Sequence, residues 1–128
     1  MSEMSNYLEN ALINVTLRAT SYTAPTTVYV SLWTSDPTDA GSGTEVSGGS
    51  YARTAVTFAA PSNGVTTNSA DVTFPTCTAS YGTVGWIGIN DAATAGNLLY
   101  HSPLDSAKTI DSGDIFKIST GNLSVTLA

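Results

Sequence analysis

The sequence predicts an all-β domain, an antiparallel β-sandwich or jelly-roll-like fold of about seven or eight strands, preceded by one short helix. After Pro25, short segments recur in which apolar and polar residues alternate. Gly, Asn and Asp turns separate these segments at regular spacing, and only the first stretch of the chain has helical spacing. We therefore divide the chain into an N-terminal helical arm, residues 1–24, and a β-sandwich domain, residues 25–128.

The helix lies in the segment SNYLENALINVTLRAT and is predicted from about Tyr7 to Leu17. Its apolar residues at helical spacing are Leu8, Leu12 and Val15. Asn6, with Glu9 three residues later, has the form of a capping box. Because the helix is short, it needs a surface to pack on, and that surface is either its own sheet or a neighbouring subunit.

The first predicted strand is TTVYVSLW, which carries large side chains on both faces. One face holds Val28, Val30 and Leu32, and the other holds Tyr29, Ser31 and Trp33. We expect both faces to be covered. A long loop, residues 34–50, follows and carries three acids, Asp36, Asp39 and Glu45. Loops of this length are usually functional or mobile.

A hairpin is predicted over residues 51–75, because two alternating runs flank Asn63-Gly64, a dipeptide that accepts positive φ at both positions. Val56 and Phe58 face inward from the first run, and Val72 and Phe74 from the second.

Four more strands are predicted, GTVGWIGI, NLLYHSPL, DIFKIS and LSVTLA, with NDAATAG, DSAKTIDSG and TGN as the connections between them. We expect the last two strands to pair as a closing hairpin. Their core candidates are Ile115, Phe116, Ile118, Leu123, Val125 and Leu127.

Composition excludes some classes of function. Charged residues make up 11% of the chain, against the usual share of about 25%, and the net charge is −6. The four cations, Arg18, Arg53, Lys108 and Lys117, are scattered, so the chain has no basic stripe for nucleic acid and no attraction to an anionic membrane. Cys77 is the single cysteine, which rules out an internal disulfide and a cysteine-based zinc site, and indicates a small core residue or a loop thiol.

The N-terminal ten residues lack the features of a signal peptide, and no apolar run approaches the roughly 20 residues that span a bilayer. We therefore expect synthesis in the cytoplasm without an export signal.

No catalytic residue, cofactor or metal is expected, and we predict that the protein is not an enzyme. His101 is the single histidine, no G-x-S-x-G motif is present, and a strand-end or interface histidine is the favoured interpretation. The loop acids are typical turn residues, and the DSGD segment has too few spaced oxygens for an EF-hand calcium loop. A sugar-binding surface built from Trp33, Tyr81, Trp86 and Tyr100 is the alternative left open.

Several phrases together resemble a family of small virion proteins of tailed bacteriophages. They are NYLENALINVTLRATSYTAPTTVYVSLWTSDP, GTEVSGGSYARTAVTF, NSADVTFP, YGTVGWIGINDAATAGNLLYHSPL and KTIDSGDIFKISTGNLSVTL. YAR at 51–53 and DAATAGNLL at 91–99 are the recognisable marks, and Tyr81 stands where the family pattern leads us to expect Trp. Members are tail-fibre-like, or similar to the cement proteins that decorate phage heads.

The resemblance implies a structural protein of the virion. The expected function is capsid decoration, with the protein on the capsid surface as a homotrimer bound to the major capsid protein. The alternative is a tail-fibre or receptor-binding module that contacts a host glycan. The candidate subunit or capsid contacts are Tyr7, Leu8, Leu12, Val15, Trp33, Asp36, Glu45 and Arg53. Arg53 is expected to pair with a loop acid or a neighbouring subunit.

Overall fold

The computed structural model describes residues 2–127, which form one helix and nine strands. In chain order these are β1 (Glu3–Met4), α1 (Asn6–Leu17), β2 (Val28–Trp33), β3 (Thr54–Val56), β4 (Val65–Thr67), β5 (Val72–Thr73), β6 (Gly82–Asn90), β7 (Leu98–Ile110), β8 (Lys117–Ile118) and β9 (Ser124–Thr126). Within this range no helix has the length and apolarity needed to cross a bilayer.

Five strands form one antiparallel sheet in the order β1-β7-β6-β2-β3. Val30 lies opposite Ile89 and Leu32 opposite Ile87, so one face of this sheet is continuously apolar and buried. Ser31 on the other face of β2 is also fully buried. The expectation that β2 is covered on both faces is therefore confirmed.

Two small sheets, β4-β9 and β5-β8, complete the β-structure. Apolar side chains in and directly beside these strands join the inward face of the five-stranded sheet in one core, to which they contribute Val72, Phe74, Phe116, Leu123 and Val125. Burial of this apolar surface is the main force that holds the layers together. The predicted all-β, sandwich-like fold with a short N-terminal helix is confirmed.

The helix has its predicted extent, but its N-cap is Ser5 and the Asn6–Glu9 capping box is wrong. Ser5 has an extended backbone, and its Oγ accepts the Leu8 N–H at 3.2 Å. Asn6 is already the first helical residue. The preceding β1, which pairs with β7, was not predicted. The boundary drawn at residue 24 stays a prediction.

Strand β7 is longer than predicted, because it continues through residues 105–110 where the sequence indicated a loop. Lys108 and Thr109 pair with Val84 and Thr83 of β6, although every residue from 105 to 109 is exposed. A strand exposed on both faces shows no apolar alternation, so its sequence does not distinguish it from a loop.

The Asn63-Gly64 turn is confirmed, with φ of 53° and 77°. Ser62 and Val65 exchange two backbone hydrogen bonds of 3.0 Å across it. The second run of this hairpin does contain a strand, β5, but its predicted partner is wrong. The chain returning from the turn pairs at 65–69, and Val72–Thr73 pairs with β8. Alternation shows which side a strand buries but does not specify its neighbour.

The predicted closing hairpin is also wrong, because β8 pairs with β5 and β9 pairs with β4. Phe116, Leu123 and Val125 are buried as expected, and Ile118 is half-buried. Ile115 and Leu127 are exposed and do not belong to the core. Cys77 is buried in the core, which selects the first of the two alternatives, core residue or loop thiol.

Candidate functional site on the helix side of the sheet

The side of the five-stranded sheet that faces away from the core is where α1, the 34–50 loop and the 91–97 turn meet. They surround a cavity of about 340 Å³. Its lining includes Tyr7, Trp33, Asp39, Arg53 and Asn90. Three of the predicted contact residues, Tyr7, Trp33 and Arg53, are thus brought together although they are distant in sequence.

Trp33 forms the buried floor of this cavity. Its Nε1–H donates to Ser31 Oγ at 2.8 Å, and the Ser31 hydroxyl donates to Asn90 Oδ1 at 2.7 Å. Gly88 leaves room for this chain, since a Cβ at that position would lie 2.7 Å from Ser31 Oγ and 2.9 Å from Trp33 Nε1. Trp33 is therefore part of the cavity lining but has too little exposed surface to contact a partner directly.

Glu45 and Arg53 form a two-point ion pair that holds the loop against the sheet. Arg53 Nη2 donates to Glu45 Oε1 at 2.7 Å and Arg53 Nε donates to Oε2 at 2.8 Å. Its Nη1 donates to the backbone carbonyls of Ala92 and Ala95 at 3.0 and 2.8 Å. The expectation that Arg53 pairs with a loop acid is confirmed. One guanidinium thus joins the two segments, YAR and DAATAGNLL, that mark the resemblance.

Tyr51 completes this group, since its hydroxyl donates to Glu45 Oε2 at 2.6 Å and accepts the Leu32 N–H at 3.0 Å. Burial raises the pKa of Glu45, but hydrogen bonds from Arg53 and Tyr51 outweigh it and hold that pKa below its usual value. Burial and the bond to Glu45 raise the pKa of Tyr51. The carboxylate therefore stays charged and the phenol stays a donor at neutral pH.

Asp36 and Asp39 of the same loop lie near His101. The Asp36 carboxylate caps the Thr38 N–H at 2.9 Å, as the turn interpretation predicts. Asp39 Oδ1 lies 2.8 Å from His101 Nε2, and the Glu3 carboxylate of β1 lies 3.9 Å from the same nitrogen. These residues are far apart in the sequence, and no local pattern indicates that β1 pairs with β7.

Helix α1 carries both buried and exposed apolar side chains. Leu8 is buried and Leu12 half-buried, which places them in intramolecular packing. Tyr7 and Val15 are 42% and 41% exposed. Two residues missed by the sequence analysis are more exposed still, Ile13 at 52% and Leu17 at 79%. Their spacing of four residues was the available signal, since it places both on one helix face.

The aromatic residues considered for sugar binding do not form one exposed surface. Trp33 and Tyr81 are buried, and Trp86 and Tyr100 are half-buried. A stacking platform needs exposed ring faces, so Trp33 and Tyr81 are removed from that candidate set.

Comparison with protein-family models identifies the family of this chain. A search of curated proteins found no significant relative. The family model described as "Podophage GP4 fiber I protein gp80" matches residues 3–126, nearly the whole chain. This match agrees with the resemblance to virion proteins of tailed phages, and in particular with the members described above as tail-fibre-like. The chain belongs to the family of podophage GP4 fiber I protein gp80.

Proposed function

We propose that the chain is a non-enzymatic structural subunit of a phage fibre, and that it assembles through the face of α1 that exposes Ile13 and Leu17. One observation carries this proposal. Of the seven large apolar side chains that the described residues expose, four lie on this twelve-residue helix: Tyr7, Ile13, Val15 and Leu17. Ile13 and Leu17, four residues apart, share one face of the helix, whereas Val15 lies on the opposite side. Adjacent exposed apolar residues are typical of interaction sites, whereas isolated ones are ordinary.

The other residues on the helix side of the sheet support a role in binding rather than in catalysis. Glu45 and Arg53 are engaged with each other, so they fix the shape of the loop and are not free to pair across an interface. Asp36 keeps an exposed carboxylate and stays a candidate contact. The proposed interface is therefore apolar at α1 and acidic at its margin.

The proposed partners are other copies of the chain, as a homotrimer. The test is the mass of the purified full-length protein by light scattering, for the wild type and for the double variant Ile13→Ser/Leu17→Ser. We expect a trimer for the wild type and a monomer for the variant. Ile115→Ser is the matched control, because Ile115 is 56% exposed but lies outside the helix. A variant with wild-type mass would contradict the assignment of α1.

Point substitutions are a sharper test than removal of the first twenty residues. Truncation would also remove β1 from the edge of the sheet and Leu8 from its buried position. The exposed side chains of Ile13 and Leu17 can be replaced with less disturbance to the fold.

Capsid decoration is the second candidate, supported by the low charge of the chain and by the same apolar helix, which would then contact the major capsid protein. Immunogold labelling of intact virions distinguishes the two. Gold on fibres supports the fibre subunit, whereas gold spread over the head supports decoration. Unlabelled particles would contradict both.

A further inference from the structure

Three segments bring metal-ligating atoms together beside α1. Glu3 comes from β1, Asp39 from the 34–50 loop and His101 from β7. One carboxylate oxygen of each acid and the His101 Nε2 all lie within 4.8 Å of one another. We call these three residues the Glu3–Asp39–His101 cluster.

The imidazole of this cluster is held in place by the fold. The His101 side chain is 3% exposed, and its backbone pairs with Glu3 on one side and Gly88 on the other. Asp39 is positioned by its carbonyl, which accepts the Asn6 N–H at 2.9 Å. A buried nitrogen donor therefore faces two carboxylates that remain open to solvent, Asp39 at 48% and Glu3 at 65% exposed.

The negative charge around His101 lacks compensation from lysine or arginine. In residues 2–127, the ion pairs of those cations are Arg53 with Glu45 and Lys117 with Asp71. None of them pairs with Glu3, Asp36 or Asp39, which all lie within 3.9 Å of a ring nitrogen of His101. Three carboxylates around one imidazole favour a bound cation.

We propose that the Glu3–Asp39–His101 cluster binds a divalent transition-metal ion, with Zn²⁺ as the best match. One imidazole nitrogen and two carboxylate oxygens suit Zn²⁺ or a neighbouring first-row metal, whereas Ca²⁺ and Mg²⁺ prefer oxygen donors alone. Three protein ligands leave a further position for water or for a ligand from a partner.

The distances need only small adjustment. Zinc binds nitrogen and oxygen ligands at about 2.0–2.2 Å, so two ligands of a tetrahedral site lie about 3.4 Å apart. The His101 Nε2 lies 2.8 Å from Asp39 and 3.9 Å from Glu3, on either side of that value. Exposed carboxylate side chains can make such shifts by rotation.

The second ring nitrogen of His101 lies near a third carboxylate. Nε2 can bind a metal only when it carries no proton, which leaves the proton on Nδ1. Nδ1 faces the Asp36 carboxylate at 3.9 Å. This separation is too long for a hydrogen bond. A carboxylate that accepts the Nδ1 proton orients a metal-bound histidine, and Asp36 would have to move closer to take that role.

The test is a Zn²⁺ titration of the full chain without a polyhistidine tag, followed by two-dimensional NMR of the histidine ring. His101 is the single histidine, so its ring signals need no further assignment. Cys77 is buried and does not compete as an exposed thiol. We expect saturable binding of one ion per chain that shifts these signals and is not displaced by excess Ca²⁺.

Conservative variants locate the site. Glu3→Gln and Asp39→Asn should each weaken Zn²⁺ binding by about tenfold or more. Asp105→Asn is the matched control on the same strand and should bind like the wild type. Glu3 is exposed, so its variant is expected to fold. Unmoved ring signals, displacement by Ca²⁺, or wild-type affinity in Glu3→Gln would overturn the proposal.

Discussion

At the scale of single residues, the polar group around Glu45 shows how a loop without regular secondary structure is held in one conformation. Its carboxylate accepts hydrogen bonds from Arg53 and Tyr51, and the same arginine reaches the carbonyls of the 91–97 turn. Each carboxylate oxygen is occupied by a charged or phenolic donor, and such charge-assisted bonds are stronger than neutral ones. The shape of the helix-side cavity therefore depends on this one group.

Glu45→Gln should lower the stability of the fold at neutral pH, and the difference from the wild type should disappear in acid. Hydrogen bonding holds the folded-state pKa of Glu45 below its ordinary value of 4.5. A carboxyl group whose pKa is lowered by folding stabilises the folded state at every pH above its unfolded-state pKa. That contribution is lost as the pH falls through its folded-state pKa. Urea unfolding of the wild type and the variant at a series of pH values from 7 to 3 measures the difference in their free energies of unfolding. Glu9→Gln is the charge-matched control, and a gap independent of pH would contradict the prediction.

At the scale of elements, the start of α1 depends on one buried serine. The Ser5 hydroxyl accepts the Leu8 N–H and also donates to the Leu98 carbonyl, so it joins the helix to β7. The Ser5 N–H donates to the Leu99 carbonyl at 2.9 Å in the same place. The orientation of the apolar helix face relative to the sheet is therefore set at the first turn of the helix.

Ser5→Ala should destabilise the fold by about 1 kcal/mol, the usual cost of a lost N-cap, with a further loss from the unpaired Leu98 carbonyl. Asn6→Ala should change stability by no more than about 0.5 kcal/mol, because Asn6 is exposed and is not the cap. Thermal unfolding of the two variants beside the wild type makes the comparison. Equal losses in both would show that the cap assignment is wrong.

At the scale of the whole molecule, a chain of net charge −6 must associate against its own electrostatic repulsion. The proposed contact through α1 is apolar, so its attraction does not depend on ion pairs. Added salt screens the repulsion between copies and leaves the apolar attraction in place.

Self-association should therefore strengthen when NaCl is raised from about 20 mM to about 200 mM, over which the screening length falls about threefold. Sedimentation velocity at a series of protein concentrations measures the change. The Ile13→Ser/Leu17→Ser variant should stay monomeric at both salt concentrations. Association that weakens with salt would indicate an ionic interface and would contradict the role given to α1.

Local patterns were sufficient for the features that depend on neighbouring residues. The extent of α1, the Asn63-Gly64 turn, the two-sided burial of β2 and the inward positions of Val72 and Phe74 all follow from periodicity and turn chemistry. The family resemblance was likewise carried by short phrases in order along the chain. These features are encoded over a few residues, so a single sequence contains them.

Strand partners, the N-cap and the helix-side site were decided by the tertiary structure. β5 and β8 both present an apolar face, and nothing local states that they pair with each other rather than with β3 and β9. Glu3, Asp39 and His101 meet because β1 adds to the edge of the sheet at β7. By itself, the sequence determined the class of fold and the membership of a phage virion family. Strand pairing decided which distant residues share a surface. Pairing depends on competition between non-local contacts, and no short segment of sequence contains that information.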